Sequence, residues 1–504
     1  MKRNEAYPDY SGFLDYLDAH GFDDEIVNKI IARHLNCRTH MVDLYERYRI
    51  YEDKVPIFTR IPHFKDKALE DAGLEQLNNK LNNDFFGEIN DIMIGYFAGK
   101  AASYSYSNDD DAEMDTGSAG AVDEAQKALS DFITANNFYD LNQEATKYAS
   151  VCGYAGRIFY IGPEGKECCK ITKPYDTIAI SRNDKLQEPD FGIYYYSYID
   201  LDGTEHWKAE AYDTTRVYFY EGTFGSLSKV SDAPHMFDYC PLQIIPLNGE
   251  MMSSAERVIS LIDSYDKDVS DNANDAEGNT HAQQVFDGIN IGDAEMAKAK
   301  VSGSIKIPPG YQGTSRSVYY LTKDINDGFN EHHLDRLERN IYRFSKTPNL
   351  NDETFNAASG ISLKFKLTAF EAKCGAFEAK FSGADTYMFK VIGSAFNRRG
   401  ISFDYLQAYV EYKRNFPVDI ASEASAVQAL INAGVPDEIA YNNLSFVDDI
   451  NYLMDLKEQK KQDAIDMFQS GGNLDNPQDD SNQDQQKQTD QNGGVINGKN
   501  NGQS

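Results

Sequence analysis

The chain has 504 residues, 80 Asp and Glu against 49 Lys and Arg, a formal net charge of −31 and 41% hydrophobic residues. That supplies a core for roughly two to four domains. A mean hydropathy of −0.58, with no apolar run near the ~18–20 residues that span a bilayer, argues for a soluble chain and against a membrane helix, and the acidity argues against a protein that coats nucleic acid. The opening MKRNEAYPDYSGFLDYLDAHGF lacks the apolar stretch of a secretory signal, so synthesis in a cytosol is expected.

In chain order, residues 23–48 predict a helix, with Ile26, Ile30, Ile31, His34 and Met41 near one face. After Pro56 and Pro62 a second helix is expected from about Leu74 to Phe97. The run NDDDAEMDTGSAG, 108–120, reads as a solvated acidic loop, and a helix is expected over about 122–150. Residues 151–247 turn β-rich, with RIFYIG, YYYSYIDL, HWKAEAYD and RVYFYEG as the clearest strands between turn signals. Their many tyrosines and Trp207 read as sheet packing more readily than as a binding surface.

Helix returns at 254–277, where Val258, Ile262, Tyr265 and Val269 make a narrow stripe. A compact Gly/Pro-punctuated stretch with short β-prone runs covers 284–323. A second narrow-striped helix spans 326–346, through Leu334, Leu337, Ile341 and Phe344. A polar loop, TPNLNDETFNAASG, occupies 347–360, and a long helix runs from about Ile361 to Asn397, broken mildly by Gly375, Gly383 and Gly393. Beyond Pro417, helices are expected at 420–433 and 436–468 around the turn Gly434-Val435-Pro436. Residues 471–504 are Gln/Asn/Asp/Gly-rich with too few apolar side chains to offset ordering, so disorder is expected there.

Tests for catalytic chemistry find no anchor. Gly95-Tyr-Phe-Ala-Gly99-Lys100-Ala101 superficially resembles a phosphate loop, but its glycine spacing is short and Ala101 stands where Ser or Thr must reach magnesium. His332 and His333 are adjacent on a helix and cannot easily face one metal. The six cysteines, Cys37, Cys152, Cys168, Cys169, Cys240 and Cys374, form no C-x-x-C and read as free thiols in a reducing compartment. No catalytic residue, metal or cofactor is indicated.

Four stretches carry a resemblance. They are NNKLNNDFFGEINDIMIGYFAGKAASYSY (78–106), ANNFYDLNQEATKYASVCGYAGRIFYIGPEGK (135–166), ERVISLIDSYDKDVSDNANDAE (256–277) and LERNIYRFSKTPNLNDETFNAASGISLKFKL (337–367). In this order they resemble the portal protein, or head-to-tail connector, of tailed bacteriophages of the siphovirus type. The resemblance implies an α+β portal fold with wing, stem, clip and crown regions that assembles into a ring, a dodecamer in the virion. It implies a wing at 1–253, stem helices at 254–277 and 326–346, and a clip at 284–323. It further implies a tunnel loop at 347–360, a tunnel helix and wing return at 361–417, a helical crown at 418–470 and the tail at 471–504.

The implied function is a non-enzymatic conduit at one capsid vertex, where double-stranded DNA is packaged and later ejected. Implied partners are other copies of the chain, terminase, a head-completion adaptor, and capsid or scaffold proteins. Implied locations are the virion and, during assembly, the host cytoplasm. The tunnel loop and helix start offer Asn349, Asn351, Asp352, Asn356, Lys364 and Lys366 toward DNA, and the second stem helix offers Arg336, Arg339, Arg343 and Lys346.

The charge distribution fits that reading. Residues 326–400 carry eleven basic against nine acidic side chains, +2 within a chain of −31. A near-neutral lining holds DNA weakly, whereas a heavily basic one grips it through counterion release, and no base-reading element is needed. The plainer alternative pairs these cations with nearby acids, as Asp335 with Arg339 at i,i+4. Other classes are a phage head protein without a channel and a soluble acidic enzyme.

Overall fold

The computed structural model describes residues 7–62, 77–107, 116–183, 185–280, 283–287, 317–321, 327–351, 360–415 and 420–441, with a few more positions between 444 and 461. Two compact units result, Met1–Pro417 and Val418–Ser504.

The first unit opens with α1 (Ser11–His20), which the sequence reading did not anticipate, and α2 (Asp24–Tyr48). The Asp23 carboxylate caps α2 by accepting the Ile26 N–H at 2.8 Å. Apolar residues at helical spacing, Ile26, Val27, Ile30 and Ile31, are buried against a five-stranded antiparallel sheet. That sheet runs in chain order: β4 (Thr177–Ile180), β5 (Phe191–Ile199), β6 (Glu205–Tyr212), β7 (Arg216–Thr223) and β8 (Ser226–Pro234).

Its β8 edge is closed by α2. The Asn28 amide donates to Leu227 O at 2.8 Å and accepts the Leu227 N–H at 3.0 Å, and the Lys229 N–H reaches Asp24. An edge satisfied in this way offers fewer groups to a foreign strand. The aromatics pack as expected: Tyr195 is buried, and Trp207 stacks on it with ring centroids 6.2 Å apart.

A three-stranded sheet, β3-β2-β9, is formed by β2 (Tyr154–Ile161), β3 (Glu167–Thr172) and β9 (Leu242–Pro246). Two helices feed into it, α4 (Thr116–Ala135) and α5 (Phe138–Cys152). The sequence predicted one helix here. The break lies at Asn137, φ +49°, a left-handed position that Asn tolerates, next to Asn136, whose side chain accepts the Cys169 N–H at 2.8 Å. The helix begins at Thr116, so residues 116–120 are helical instead of loop.

A second correction concerns α3 (Phe85–Phe97). The sequence reading extended it back to Leu74, but residues 77–84 are not helical. Their backbone is bound instead by α6 (Ile259–Thr280), which continues a short 3₁₀ turn at Glu256–Val258. The N–H groups of Asn79, Leu81 and Asn83 donate to Asn274 Oδ1 at 2.7 Å, Ser270 Oγ at 2.9 Å and Asp266 Oδ1 at 2.8 Å. Every second residue of the extended strap meets every fourth residue of the helix.

After α6 come β10 (Gln283–Asp287) and β11 (Ser317–Leu321), an antiparallel pair. Then follow α7 (Asp327–Ser345) and α8 (Gly360–Arg398). At 39 residues, α8 is about 58 Å long and unbroken. Residues 387–389 and 391–396 of α8 are buried on every side, the mark of a core helix. Gly393 is required by packing, since a Cβ there would lie 2.7 Å from the Phe403 ring.

Of the remaining elements, β1 (Ser103–Tyr106) pairs with β12 (Ala408–Glu411), a contact without a local sequence signal. Within the second unit, α9 (Ile420–Asn432) and α10 (Asp437–Tyr441) flank Gly434, φ +85°, with helical residues again at 456–461. The expected acidic stretch at 108–115, most of the 284–323 insert and the 471–504 tail lie outside the described residues.

Candidate functional site

The basic residues of α7 lie on one side. Arg336, Arg339 and Arg343 fall at i, i+3 and i+7, within an arc of about 60° at 100° per residue, and Lys346 follows just past the end of the helix. All four are exposed. The opposite face buries Leu337, Ile341 and Ser345, and Tyr342 donates its hydroxyl to Glu88 Oε2 at 2.6 Å. Among the described residues none of the four cations has an ion-pair partner, and the i,i+4 pair of Asp335 with Arg339 is not formed. The Arg343 guanidinium lies over the Phe344 ring at 5.8 Å.

The neighbouring helix lies against another side of α7. α6 and α7 pack side by side, with His333 Nε2 3.2 Å from Asp268 Oδ2 and the Asn330 amide 3.0 Å from Asn272 Oδ1. The carboxylates of α6 are taken by the rest of the unit. Asp263 pairs with Arg47 at 2.6 Å, Asp271 with Arg60, and Asp266 with the strap. Exposed ion pairs add little in any case, so these cations cost the fold little by standing free in solvent.

The loop and helix start divide. The Asn349 amide donates to Glu338 Oε1 at 2.8 Å, which ties it back to α7, while Asn351 is exposed. Lys366 and Phe365 are exposed at the start of α8. Lys364 belongs to α8 by backbone, and Asp352 and Asn356 lie outside the described residues. Phe344, expected on the apolar stripe, is 52% exposed beside Leu337, with the Arg343 guanidinium over its ring.

Three segments converge where α7 ends. Lys373 of α8 donates to Ser345 O at 3.1 Å, covering a carbonyl that the α7 terminus leaves open, and to Ser254 O at 3.4 Å, just before the 3₁₀ turn. Burial pushes its pKa down to about 8, and repulsion from Lys346 and Arg257 adds to this. Sequence reading counted Lys373 only as one basic residue among many and passed over Arg257. No local pattern marks either, since the convergence is tertiary.

The Gly95–Gly99 stretch closes the C-terminus of α3, where Asn415 binds Tyr96 O and Gly95 O. Carbonyls at a helix C-terminus repel a phosphate, so the apparent phosphate loop has no such role. All six cysteines are free. Among the described residues, no cluster of three or more His, Cys, Asp or Glu is placed to hold a metal ion, and no helix is long and apolar enough to cross a membrane.

Comparison with known proteins gives a consistent answer. The family model "Phage portal protein, SPP1 Gp6-like" matches residues 28–466. The chain is 24% identical over 338 residues to the portal protein of Clostridium phage phiCD119, covering 63% of this chain and 74% of that one. It is 25% identical over 266 residues to the portal protein of Bacillus phage SPP1, covering 49% of this chain and 52% of that one.

Proposed function

The chain belongs to the SPP1 Gp6-like phage portal proteins, and from that membership we propose that its copies close into a ring at one capsid vertex and conduct double-stranded DNA during packaging and ejection. Head-to-tail contacts that close by rotation suit such a ring. In this reading α6 and α7 are the stem, and β10 and β11 belong to the clip, which meets terminase and then the adaptor. Residues 347–360 are the tunnel loop, α8 is the tunnel helix, 1–253 is the wing and 418–470 the crown. The subunit is structural and works without cofactor or metal, in the virion and, before that, in the host cytoplasm.

The observation that carries the DNA-facing assignment is the unpartnered basic face of α7 in a chain of −31. Arg336, Arg339, Arg343 and Lys346 repeat around the ring and touch phosphates weakly and without sequence preference. Lys364, Lys366, Asn349, Asn351, Asp352 and Asn356 extend this contact at the tunnel loop. The acidic remainder repels the duplex from other surfaces.

Electron microscopy of the purified full-length protein tests the reading. Rings with a central hole are expected, alone or with other head proteins. Monomers under both conditions would favour a head protein without a channel.

A further inference from the structure

A pocket of about 200 Å3 opens where Lys373 meets the end of α7. Among the residues lining it are Ser254, Arg257, Lys346, Lys373 and a single carboxylate, Glu250. Three cations around one concavity is an unusual concentration in a chain with 80 acids and 49 bases. Among the described residues, none of the three has an ion-pair partner, although Glu250 also lines the pocket.

Two further features set the pocket apart. Ser254 is 7% exposed, yet its Oγ has no hydrogen-bond partner within the protein. A buried hydroxyl left unpaired forfeits its hydration without recompense, so it calls for an explanation. Lys346 sits at φ +59°, a left-handed conformation that disfavours a side chain with Cβ and that Gly or Asn adopts more easily. The strained position puts a lysine, where helices commonly end in Gly, in the lining of the pocket.

We propose that this pocket is an oxyanion site that takes a phosphoryl group, with Arg257, Lys346 and Lys373 neutralising it and Ser254 Oγ donating to it. The group comes from a DNA backbone or from free phosphate. An anion there relieves the mutual repulsion of the three cations and gives the Ser254 hydroxyl an acceptor. Lys373 stays bonded to Ser345 O and Ser254 O, so its third proton is the one available to the ligand. The site requires no ring, so its failure leaves the portal reading standing, and the absence of rings would leave the site standing.

The test compares the full chain with an Arg257→Gln/Lys346→Asn variant. Both side chains are exposed, and Asn keeps the left-handed backbone. Thermal unfolding is followed in inorganic phosphate and in chloride at equal ionic strength. The general stabilising effect of phosphate acts on both proteins and cancels in the difference.

A phosphate-dependent rise in Tm several degrees larger for wild type than for the variant is expected, with the variant at least as stable in chloride. Equal shifts in the two proteins, or no shift in either, overturn the site. A second arm replaces phosphate with a short DNA duplex at low salt. Protection that this variant loses but an Arg336→Gln/Arg339→Gln/Arg343→Gln variant keeps assigns the ligand to DNA, and protection that the pocket variant keeps assigns it to free phosphate.

Discussion

Arg157 and Asp385 form an ion pair, Nη1 to Oδ1 at 2.7 Å, with side chains 1% and 0% exposed. The pair fastens β2 to α8. Arg157 Nη2 also donates to Ala384 O at 3.0 Å, and the Tyr412 hydroxyl donates to the other Asp385 oxygen. A pair this deep gains little over well-packed apolar residues, but each charge depends on the other. Arg157→Met alone and Asp385→Leu alone should each cost about 3–5 kcal/mol, whereas the double variant should recover much of that loss. Denaturant unfolding of the four proteins measures the cycle, and additive losses would contradict it.

His34 is fully buried between two hydroxyls, with Nδ1 2.8 Å from Tyr195 Oη and Nε2 3.2 Å from Tyr154 Oη. Burial lowers its pKa from 6.5 to about 3, and Arg38 adds to the effect. Between these values the unfolded chain binds a proton that the folded chain does not, so stability falls as the pH drops from about 6.5 toward 3. His34→Gln keeps a donor and an acceptor but does not titrate. Its acid-side loss of stability should be shallower than that of wild type by about 1.4 kcal/mol per pH unit. Parallel stability–pH curves would show that His34 does not control the slope.

Neutralising the face of α7 separates function from folding. An Arg336→Gln/Arg339→Gln/Arg343→Gln variant should fold within about 0.5 kcal/mol of wild type, because these side chains are exposed and unpaired. The amount of DNA packaged in an assembly assay should drop. Unchanged packaging would remove these residues from the DNA path.

Phe344 and Phe365 are 52% and 76% exposed, and each bares a large apolar ring on the helices read as stem and tunnel. Phe344→Ser and Phe365→Ser should leave monomer unfolding nearly unchanged and weaken ring assembly, read as the ring fraction in sedimentation velocity. A normal ring fraction would place these rings outside the subunit contacts.

Shortening the loop gives a further check. Deleting 350–356 should impair DNA packaging while ring formation persists. Normal packaging by the deletion variant would refute a tunnel-loop role.

Much of the architecture was written in local pattern. The stripe through Ile26, Ile30 and Ile31 marked α2, β-prone residues between turn signals marked the clearest strands, and Gly434-Val435-Pro436 marked a turn. What escaped was set by distant partners. The segment after Leu74 has helical composition, but Asn79 and Asn83 satisfy their backbone on α6. β1 and β12 pair across some three hundred residues, and Phe344 has the spacing of a core residue without a partner to cover it. Likewise the basic face of α7 was legible as a list of residues. That its charges go unpaired is seen only in the folded chain.

The strap along α6 acts as a torsional key. Two extended residues advance about 6.6–6.8 Å and four helical residues advance 6.0 Å, so the rungs drift by well under 1 Å each. Three rungs tolerate that drift; a longer run would lose register, and the strap gives way to helix α3 just after the third, at Phe85. Rotating α6 by one residue would swing Asp266, Ser270 and Asn274 about 100° away and release all three N–H groups together. Rolling of α6 is therefore opposed by the chain before it, and the segment that resists is the one that leads directly into α3.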